Sequence, residues 1–417
     1  MFLKKSFIFK NYAFDPKSLT ATFSYQGPRG TTFTEKIEFE QAAEKYDQDL
    51  LERALFLSFI LIGTSYYKAD PTKTVKLDTP LDSFQSNFFN KVYQEGLSQF
   101  AFENRLTRNH LAHFKPKTNF QPVAPKPYPG TGILSLQSGG KDSLLTATLL
   151  AEQSKSFTPW YLSANGTHPT VLDNLGQPLL TATRSLDLEH LRSAKFNGHV
   201  PVTYINQSLA LVQAILLGKS TILTSIGQEG NEPHAKIGDL AVNHQWSKTW
   251  EAEQLFSQYV HTYISEDIQI GSPLRQFSEL KIAQLFAEKC WKKYQKSFSS
   301  CNVANYRQTT DTKTLSWCGE CAKCANTFLL FAPFLEKSQL ASIFGGKDLF
   351  ADESLVDIFK GLLGIDGKLK PFECVGEIAE LRKAYHKKLP GYTDLPFSVP
   401  DSNFDLEETH PSQIFNL

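Results

Sequence analysis

The sequence predicts an α/β protein whose main part is a parallel sheet, with an α+β unit before it and a small helical region after it. Strand-like and helix-like stretches alternate between residues 131 and 226, as they do in a parallel sheet covered by helices on both faces. A proline-rich stretch, KPKTNFQPVAPKPYPG at residues 115–130, is predicted to be an extended linker. These observations predict domains at residues 1–114, 131–343 and 344–417.

Composition limits the classes of function. The chain has 417 residues, of which 41% are hydrophobic, so it can bury a sizeable core. Lysine plus arginine and aspartate plus glutamate number 43 each, and the zero formal net charge argues against a large nucleic-acid surface. The first residues lack the apolar run of a signal peptide, and the longest apolar stretch, at residues 54–63, is too short to cross a bilayer. We therefore expect a soluble, cytoplasmic protein without nucleic-acid or membrane partners.

The first unit is predicted to contain a hairpin and two helices. Residues 19–25 and 32–39 are strand-like and are joined by QGPRG, which predicts two antiparallel strands. Apolar residues recur at helical spacing over residues 41–62, and Gly63 is the expected C-cap. The aromatic-rich residues 84–103 are predicted to form the second helix.

The second unit is predicted to alternate four strands with helices. The strands are expected at residues 131–136, 158–163, 200–205 and 221–226. The helices are expected from Ser143 onward and over residues 179–194 and 208–217. Ligands bind at the carboxyl ends of parallel strands, so the loops after the first and fourth strands are predicted to form the site. The last dozen residues of the chain are expected to be a poorly packed tail.

A glycine-rich loop between the first strand and its helix predicts an anion site. The loop reads SGGKDS and consists of Ser138, Gly139, Gly140, Lys141, Asp142 and Ser143. Two glycines let backbone N–H groups approach a phosphate, the helix N-terminus adds partial positive charge, and the lysine and serines add donors. The hexamer resembles the PP-loop of the N-type ATP pyrophosphatases. This resemblance implies an adenine nucleotide alpha hydrolase-like fold and binding of the β- and γ-phosphates of ATP, with Asp142 as a candidate contact for Mg²⁺ or simply a helix cap.

Six cysteines are too few for a disulfide framework, and four of them lie close together in the sequence. Cys318, Cys321 and Cys324 follow the spacing CxxCxxC, and Cys301 is the obvious fourth ligand. Four thiolates suit a tetrahedral zinc site, although an iron–sulfur cluster uses the same ligands and a site without metal stays open. We expect a structural Zn²⁺, since a closed set of four thiolates leaves no coordination position for catalysis.

Two family resemblances follow from these and other motifs. The PP-loop followed by the cysteine cluster resembles 7-cyano-7-deazaguanine synthase, but that likeness leaves both ends of the chain unexplained. Five further stretches are SYYKA at 65–69, FNGHVPV at 196–202, VNHQWSKT at 242–249, WCGECAKC at 317–324 and KPFECVG at 370–376. Taken together and in this order, they resemble the UDP-N-acetylmuramoyl-L-alanyl-L-glutamate epimerase family, and this second resemblance covers most of the chain.

The epimerase resemblance implies a substrate and a reaction. The substrate is a UDP-muramoyl dipeptide that ends in L-glutamate, and the α-carbon of that glutamate is inverted. Deprotonation beside a carboxylate is difficult because the product carries two negative charges. Adenylation of the carboxylate by ATP removes that charge, so the α-carbon can be inverted before the mixed anhydride is hydrolysed. The resemblance thus implies ATP, Mg²⁺ and release of AMP and pyrophosphate, without pyridoxal phosphate.

Further candidate residues lie outside the glycine-rich loop. Lys248 is a candidate to hold the α-phosphate or the substrate carboxylate, unless it is a solvated lysine. Glu229 is a candidate to contact Mg²⁺ or the substrate, or else a surface carboxylate. The sequence does not identify the base that removes the α-proton. Cys374 and Lys68 are candidates, together with Tyr67, and each could instead be a packed structural residue.

Two other functions stay open at the level of the sequence. One is a deazaguanine-type amide or nitrile synthase, which would use ammonia and a heterocyclic carboxylate and would not need the first unit. The other is a nucleotide-sensing module that binds ATP without turnover, which needs neither the residues on the carboxylate side nor the cysteine cluster. Exchange of pyrophosphate with ATP would separate such a module from an enzyme. A tRNA-modifying pyrophosphatase is disfavoured by the neutral charge.

Overall fold

The structure is a computed structural model that describes residues 5–306 and 314–414. Within these residues, eleven strands form one sheet of nine strands and another of two. The strands are β1 (Phe7–Asp15), β2 (Thr20–Gln26), β3 (Thr32–Phe39), β4 (Val75–Lys76), β5 (Ile133–Leu136), β6 (Phe157–Ser163), β7 (Leu180–Ser185), β8 (Thr221–Leu223), β9 (Ala235–Ile237), β10 (Leu240–Val242) and β11 (Gln269–Gly271).

Fifteen α-helices, counted over the same described residues, accompany the sheet and build the C-terminal region. They are α1 (Gln48–Ile62), α2 (Thr64–Tyr67), α3 (Ser83–Gln94), α4 (Ser98–Glu103), α5 (Lys141–Glu152), α6 (Leu188–Arg192), α7 (Val202–Leu217), α8 (Trp250–Tyr263), α9 (Glu279–Lys289), α10 (Trp291–Tyr294), α11 (Asn302–Tyr306), α12 (Ala322–Phe331), α13 (Lys337–Ser342), α14 (Val356–Leu362) and α15 (Ile378–His386). The predicted α/β class, with a mostly parallel central sheet and a helical C-terminal region, is confirmed.

The large sheet has the strand order β11-β8-β5-β6-β7-β3-β2-β1-β4. Its first five strands are parallel, and β3, β2 and β1 continue it as antiparallel neighbours. Strand β3 of the predicted first unit pairs directly with β7 of the second, with Ile37 opposite Arg184 and Phe39 opposite Ala182. The boundary predicted near residue 131 therefore lies within one continuous sheet.

Side chains alternate across the central strands and enter two cores, one on each face of the sheet. Leu134 and Ile222 belong to the first core, which they share with α1, α3, α7 and α8. Their neighbours Ile133 and Leu223 face the second core, with α5, α9, α12 and α15. Helix α1 packs on α7, so residues before and after the proline-rich stretch share one core.

The prediction of a helix over residues 179–194 is wrong. The structure has strand β7 there, followed only by the short helix α6. Leu180, Ala182 and Arg184 are the buried positions of β7, and their spacing of two is the period of a strand. The helical interpretation overlooked this period because α6 follows the strand so closely.

The prediction of a strand over residues 200–205 is also wrong, because α7 begins at Val202. Branched and aromatic residues at the start of α7 favour a strand by intrinsic propensity. The surrounding sequence overrides that preference, since the fixed φ of Pro201 suits the entry of a helix and the apolar run continues to Leu217.

The first unit matches its predicted hairpin, and β2 and β3 pair in antiparallel register. Helix α1 begins later than predicted because the Asp47 carboxylate accepts two N–H groups of the first turn and caps it. Gly63 follows α1 with φ −51°, so it is not a left-handed cap. Glycine fits there because a Cβ would lie 2.6 Å from Tyr93 Oη. The predicted helix over residues 84–103 is divided into α3 and α4.

One helical run, Gln48–Tyr67, is long and apolar enough to cross a membrane when judged by length and composition alone. In the structure 83% of this apolar stretch is buried inside the protein, which is the environment of a core helix. The aromatic rings of Phe9, Tyr25 and Phe33 contact this run from the sheet.

Residues 410–414 are bonded to the rest of the chain, so the expectation of a loose tail is wrong for them, whereas residues 407–409 are exposed. Ser412 is buried, and its hydroxyl donates to the Ser272 carbonyl. The His410 N–H donates to the Gln276 carbonyl at 3.1 Å. An extended segment held by such bonds to distant residues has no helical or strand period that a sequence could show.

Candidate functional site

A cavity of about 540 Å³ opens at the carboxyl ends of β5, β6 and β8. Its lining comes from the glycine-rich loop, the end of β6, the start of α7 and parts of the C-terminal half of the chain. Ligands of parallel sheets bind at this edge, so the cavity is the candidate functional site. The lining residues that the sequence also singled out are Ser138, Gly140, Asp142, Ser143, Lys248 and Cys374.

The shape of the glycine-rich loop depends on Gly139. Its φ is +80°, which side chains rarely tolerate, and a Cβ there would lie 2.6 Å from Leu315 Cδ1. Gly140 has an ordinary φ and is the N-cap of α5. The nearest atom to a Cβ built at Gly140 is Ser138 Oγ, at 3.5 Å. Gly139 is therefore required by the fold of the loop, whereas Gly140 leaves open the space at the start of α5.

Two hydroxyl groups close the glycine-rich loop. Ser143 Oγ accepts a hydrogen bond from the Ser138 N–H at 3.2 Å, and Ser138 Oγ accepts one from the Gly140 N–H at 3.3 Å. The N–H groups of the first turn of α5 have no acceptor within the helix, and the helix dipole adds positive potential there. The loop can therefore hold an anion at the cavity.

The side chain of Lys141, within the loop, is only 11% exposed, and Lys141 is not among the described residues that line the cavity. Its Nζ donates to Asp142 Oδ1 and Glu279 Oε2, each at 2.6 Å. Burial disfavours the ammonium, but these carboxylates outweigh it and raise the pKa of Lys141, while burial raises the pKa of Glu279. Asp142 lines the cavity and does not cap α5, because no side chain caps that helix.

Lys248 lines the cavity and is supported by Glu229. Lys248 Nζ donates to Glu229 Oε1 at 3.1 Å, and Glu229 is only 3% exposed. Glu229 is therefore a buried partner and not a surface carboxylate. Burial lowers the pKa of Lys248, but the charges of Cys374, Glu229 and Asp142 outweigh it and raise that pKa. The structure thus places an ammonium group on the cavity wall.

Cys374 lies on the cavity wall in the irregular stretch at residues 370–376. It is partly exposed, so it is not a core residue. Its carbonyl oxygen accepts a hydrogen bond from Lys323 Nζ at 2.6 Å, and Lys323 also lines the cavity. A thiol in the same cavity as the glycine-rich loop and Lys248 can reach a ligand held between them.

Lys68 and Tyr67 are not among the described residues that line the cavity. Tyr67 is fully buried and its hydroxyl donates to the Thr72 carbonyl at 3.0 Å, as expected of a packed residue. Lys68 Nζ donates to the Gly198 carbonyl at 2.9 Å, and burial lowers the pKa of Lys68 to about 8. Lys68 therefore supports the stretch at residues 196–202.

The four cysteines predicted to bind metal converge on one point. Their Sγ atoms all lie within 4.8 Å of one another, and the distances between neighbouring sulfurs run from 3.5 to 3.7 Å. A tetrahedral zinc site with Zn–S bonds of about 2.3 Å needs sulfurs about 3.8 Å apart. The Gly319 N–H donates to a cysteine sulfur at 3.3 Å, which favours a thiolate. The residues that could hold the ion are Cys301, Cys318, Cys321 and Cys324.

Two charged contacts of the site were not singled out from the sequence. Glu279 pairs with Lys141 across 138 positions of the chain. Arg184 lines the cavity, and its Nε and Nη2 donate to the Glu35 carboxylate at 2.7 and 3.3 Å. Pairing between segments so distant in sequence leaves no local pattern, so only the fold reveals it.

Comparisons with known proteins agree over most of the chain. A family model described as the MurL N-terminal domain matches residues 2–272, and one described as the MurL C-terminal domain matches residues 297–390. The N-terminal match runs through the proline-rich stretch and the glycine-rich loop, in keeping with the continuous sheet.

Three similar proteins are each named UDP-N-acetyl-alpha-D-muramoyl-L-alanyl-L-glutamate epimerase. The protein from Micromonospora sp. is 34% identical over 387 residues, which is 90% of this chain and 85% of the relative. The one from Salinispora tropica is 34% identical over 388 residues, covering 90% and 83%. The one from Xanthomonas oryzae pv. oryzae is 31% identical over 386 residues, covering 91% and 84%.

Proposed function

Because the chain belongs to the UDP-N-acetyl-alpha-D-muramoyl-L-alanyl-L-glutamate epimerase family, and is therefore an isomerase, we propose that it inverts the terminal L-glutamate of that substrate through an acyl-adenylate made from ATP. The observation that carries this proposal is that the glycine-rich loop, Lys248 and Cys374 meet at one cavity. One cavity thus offers an anion site, a fixed positive charge and a thiol.

Adenylation answers the main chemical difficulty of the inversion. Removal of the α-proton beside a carboxylate would place two negative charges on neighbouring groups. When the carboxylate oxygen attacks the α-phosphorus of ATP, pyrophosphate leaves and the carboxylate becomes a neutral acyl group. The carbonyl oxygen of the acyl-adenylate can then take up the negative charge that the α-proton leaves behind. Water finally attacks the carbonyl carbon and releases AMP with the free carboxylate.

The cavity residues have separate roles in this proposal. The backbone N–H groups and hydroxyls of the glycine-rich loop hold the β- and γ-phosphates at the N-terminus of α5. Asp142 offers its carboxylate to Mg²⁺, which prefers oxygen ligands. Lys248, oriented by Glu229, provides positive charge where the α-phosphate and the carbonyl oxygen develop negative charge.

Cys374 is the proposed base. Its thiolate takes the α-proton and becomes a thiol, while a proton derived from water reaches the opposite face of the α-carbon. The thiol then returns its proton to solvent, so protons balance over one turnover. Cys374 is preferred over Lys68 because Cys374 lines the cavity, whereas Lys68 donates to the Gly198 carbonyl.

We also propose that the four clustered cysteines hold a structural Zn²⁺. The sulfur separations and the closed set of four thiolates support zinc. Protein purified without chelator should contain one zinc per chain, and Cys301→Ala should lower its thermal stability, because binding energy is folding energy at such sites. Metal analysis that finds no zinc, whether or not iron is present, would contradict this proposal.

The test of the function is incubation with UDP-MurNAc-L-Ala-L-Glu, ATP and Mg²⁺ in deuterated water, followed by chiral analysis of the glutamate. We expect D-glutamate that carries deuterium at its α-carbon, together with pyrophosphate. The control substrate is 7-carboxy-7-deazaguanine with ammonia, which should release no pyrophosphate. Release of pyrophosphate with the control substrate alone would indicate a synthase instead.

A further inference from the structure

The segments that carry the four cysteines contact the glycine-rich loop. We call residues 299–302 and 315–326 the cysteine knuckle. The Ser299 N–H of the knuckle donates to the Gly139 carbonyl at 3.2 Å. Leu315 occupies the space that a side chain at position 139 would need. The knuckle is therefore docked against the part of the cavity that is proposed to bind ATP.

The knuckle also holds the stretch that carries Cys374, and it does so on both sides of this residue. On one side, Asn302 Nδ2 donates to Glu373 Oε2 at 2.8 Å. On the other side, the Gly376 N–H donates to Asn326 Oδ1 at 2.9 Å, and Asn326 is buried. Together with the bond from Lys323 to the Cys374 carbonyl, these contacts link the knuckle to three points of the stretch.

Side-chain anchors matter at residues 370–376 because this stretch has no helix or strand of its own. A fourth anchoring bond comes from the segment of Lys248, where Gln245 Nε2 donates to the Val375 carbonyl at 2.9 Å. The fit is close at Gly376, since a Cβ there would lie 2.9 Å from Glu380 Oε1. The place of Cys374 is thus set by contacts from its surroundings and not by a regular element.

The geometry points to a positioning role for the cysteine knuckle, in which Asn302 and Asn326 set the place of Cys374 relative to the glycine-rich loop. This inference rests on the proposed function, in which the loop serves adenylation and Cys374 serves inversion. A proton acceptor must come within about 3 Å of its partner. A misplacement of about 1 Å can cost about two orders of magnitude in rate. Loss of these anchors should therefore impair inversion and spare adenylation.

The test compares D-glutamate formed with AMP formed. We expect Asn326→Ala and Glu373→Ala each to lower this ratio roughly tenfold while AMP formation stays within about twofold of the unaltered protein. Glu373→Gln keeps an oxygen that can accept from Asn302, so it should restore the ratio. The matched control is Asn90→Ala, because Asn90 Oδ1 accepts from a backbone N–H, that of Phe114 in the first core, as Asn326 Oδ1 accepts from that of Gly376. This control should leave the ratio unchanged.

A second readout needs no turnover. Alkylation of Cys374 by iodoacetamide, followed by peptide mass spectrometry, should be severalfold faster in Asn326→Ala and unchanged in Asn90→Ala. If Asn326→Ala does not fold, Glu373→Ala provides both readouts, because its bond to Asn302 is exposed.

An unchanged ratio and an unchanged alkylation rate in the anchor variants would overturn the positioning role. Failure of the proposed function would look different. In that case the unaltered protein would form no AMP, or Cys374→Ala would still return D-glutamate at the original ratio to AMP.

Discussion

Lys141 and Lys248 carry the same charge but occupy different positions at the site. Lys141 is enclosed by two carboxylates at 2.6 Å, whereas Lys248 has one carboxylate partner at 3.1 Å and lines the cavity. The charge of Lys141 is balanced within the protein, so its main effect is to hold the glycine-rich loop to α9 through Glu279. Of these two lysines, Lys248 is the one that lines the cavity and can act on a ligand.

At this scale the first prediction concerns Asp142. Asp142→Asn removes the carboxylate proposed to contact Mg²⁺ and leaves the Lys141–Glu279 pair in place. We expect AMP formation to fall by at least about a hundredfold, as when other preorganised charges are removed from active sites, with little change in melting temperature. The control is Glu152→Gln, at the other end of the same helix, which should leave AMP formation unchanged. Near-normal AMP formation in Asp142→Asn would contradict the assignment.

The second prediction follows from the pKa of Lys68, which burial lowers to about 8. The ordinary lysine pKa is about 10.4, so between these values the unfolded chain binds the proton and the folded chain does not. Stability should therefore rise with pH in this window. Below about pH 8 Lys68 is charged in the folded protein as well, so the folded state bears the full cost of a partly buried ammonium. We expect the free energy of unfolding to gain about 2 kcal/mol relative to Lys68→Met between about pH 7.5 and about pH 9.5. Urea denaturation of both proteins measures this difference, and parallel pH profiles would contradict it.

The sequence was informative for residues that share a short motif and silent on their distant partners. SGGKDS and the CxxCxxC spacing are local patterns, and the structure brings the loop to a cavity and the four sulfurs to one point. Glu279, Glu35 and Asn326 act through partners far along the chain, so no spacing could reveal them. Lys68 shared a local stretch with other candidates, yet its contacts make it a support for Gly198.

At the scale of elements, the junction of β3 and β7 joins the predicted first unit to the parallel sheet. Arg184 on β7 and Glu35 on β3 form a buried pair across this junction, and Tyr66 Oη donates to the same carboxylate at 2.7 Å. An ion pair in such a place is expensive to break because the remaining charge stays buried. The junction is therefore a point where stability and the shape of the cavity are coupled.

The third prediction tests that junction. Arg184→Ala leaves the Glu35 carboxylate buried without its guanidinium, so we expect a loss of about 3 to 5 kcal/mol in the free energy of unfolding. Arg29→Ala is the matched control, because Arg29 pairs with Asp70 at the surface and should cost less than about 1 kcal/mol. If urea denaturation gives equal losses in the two variants, the buried pair stabilises the fold no more than the surface pair does.

Periodicity identified most elements of the sheet and failed where two elements adjoin. Strand β7 and helix α6 are separated by only a few residues, and their combined pattern suggested one helix. The first turn of α7 has strand-forming residues whose preference is overridden by the burial of most of the helix. Strand order could not be read from the sequence at all, since the pairing of β3 with β7 joins segments on either side of the proline-rich stretch.

On the scale of the whole molecule, the predicted first and second units form one body. The large sheet runs through both, and the first core is shared between helices before and after residue 131. The fold therefore offers a reason for the length of the family match, whose N-terminal part ends only at residue 272.

The fourth prediction follows from this continuity. A chain that begins at residue 115 should not fold, because β7 would lose its neighbour β3 and α7 would lose its contact with α1. Circular dichroism and size-exclusion chromatography measure the outcome, and residues 1–114 supplied by co-expression should restore a folded complex. Cooperative thermal unfolding of the shortened chain alone would show that the units are independent.

The central claim is that one cavity activates the glutamate carboxylate with ATP and then inverts the α-carbon. The most direct measurement uses UDP-MurNAc-L-Ala-L-Glu labelled with ¹⁸O in the α-carboxylate of the glutamate, with ATP and Mg²⁺. If an acyl-adenylate forms and water attacks its carbonyl carbon, each AMP keeps one ¹⁸O from the substrate, and D-glutamate accumulates with it. D-glutamate formed without ATP, or formed with AMP that carries no ¹⁸O, would contradict the account.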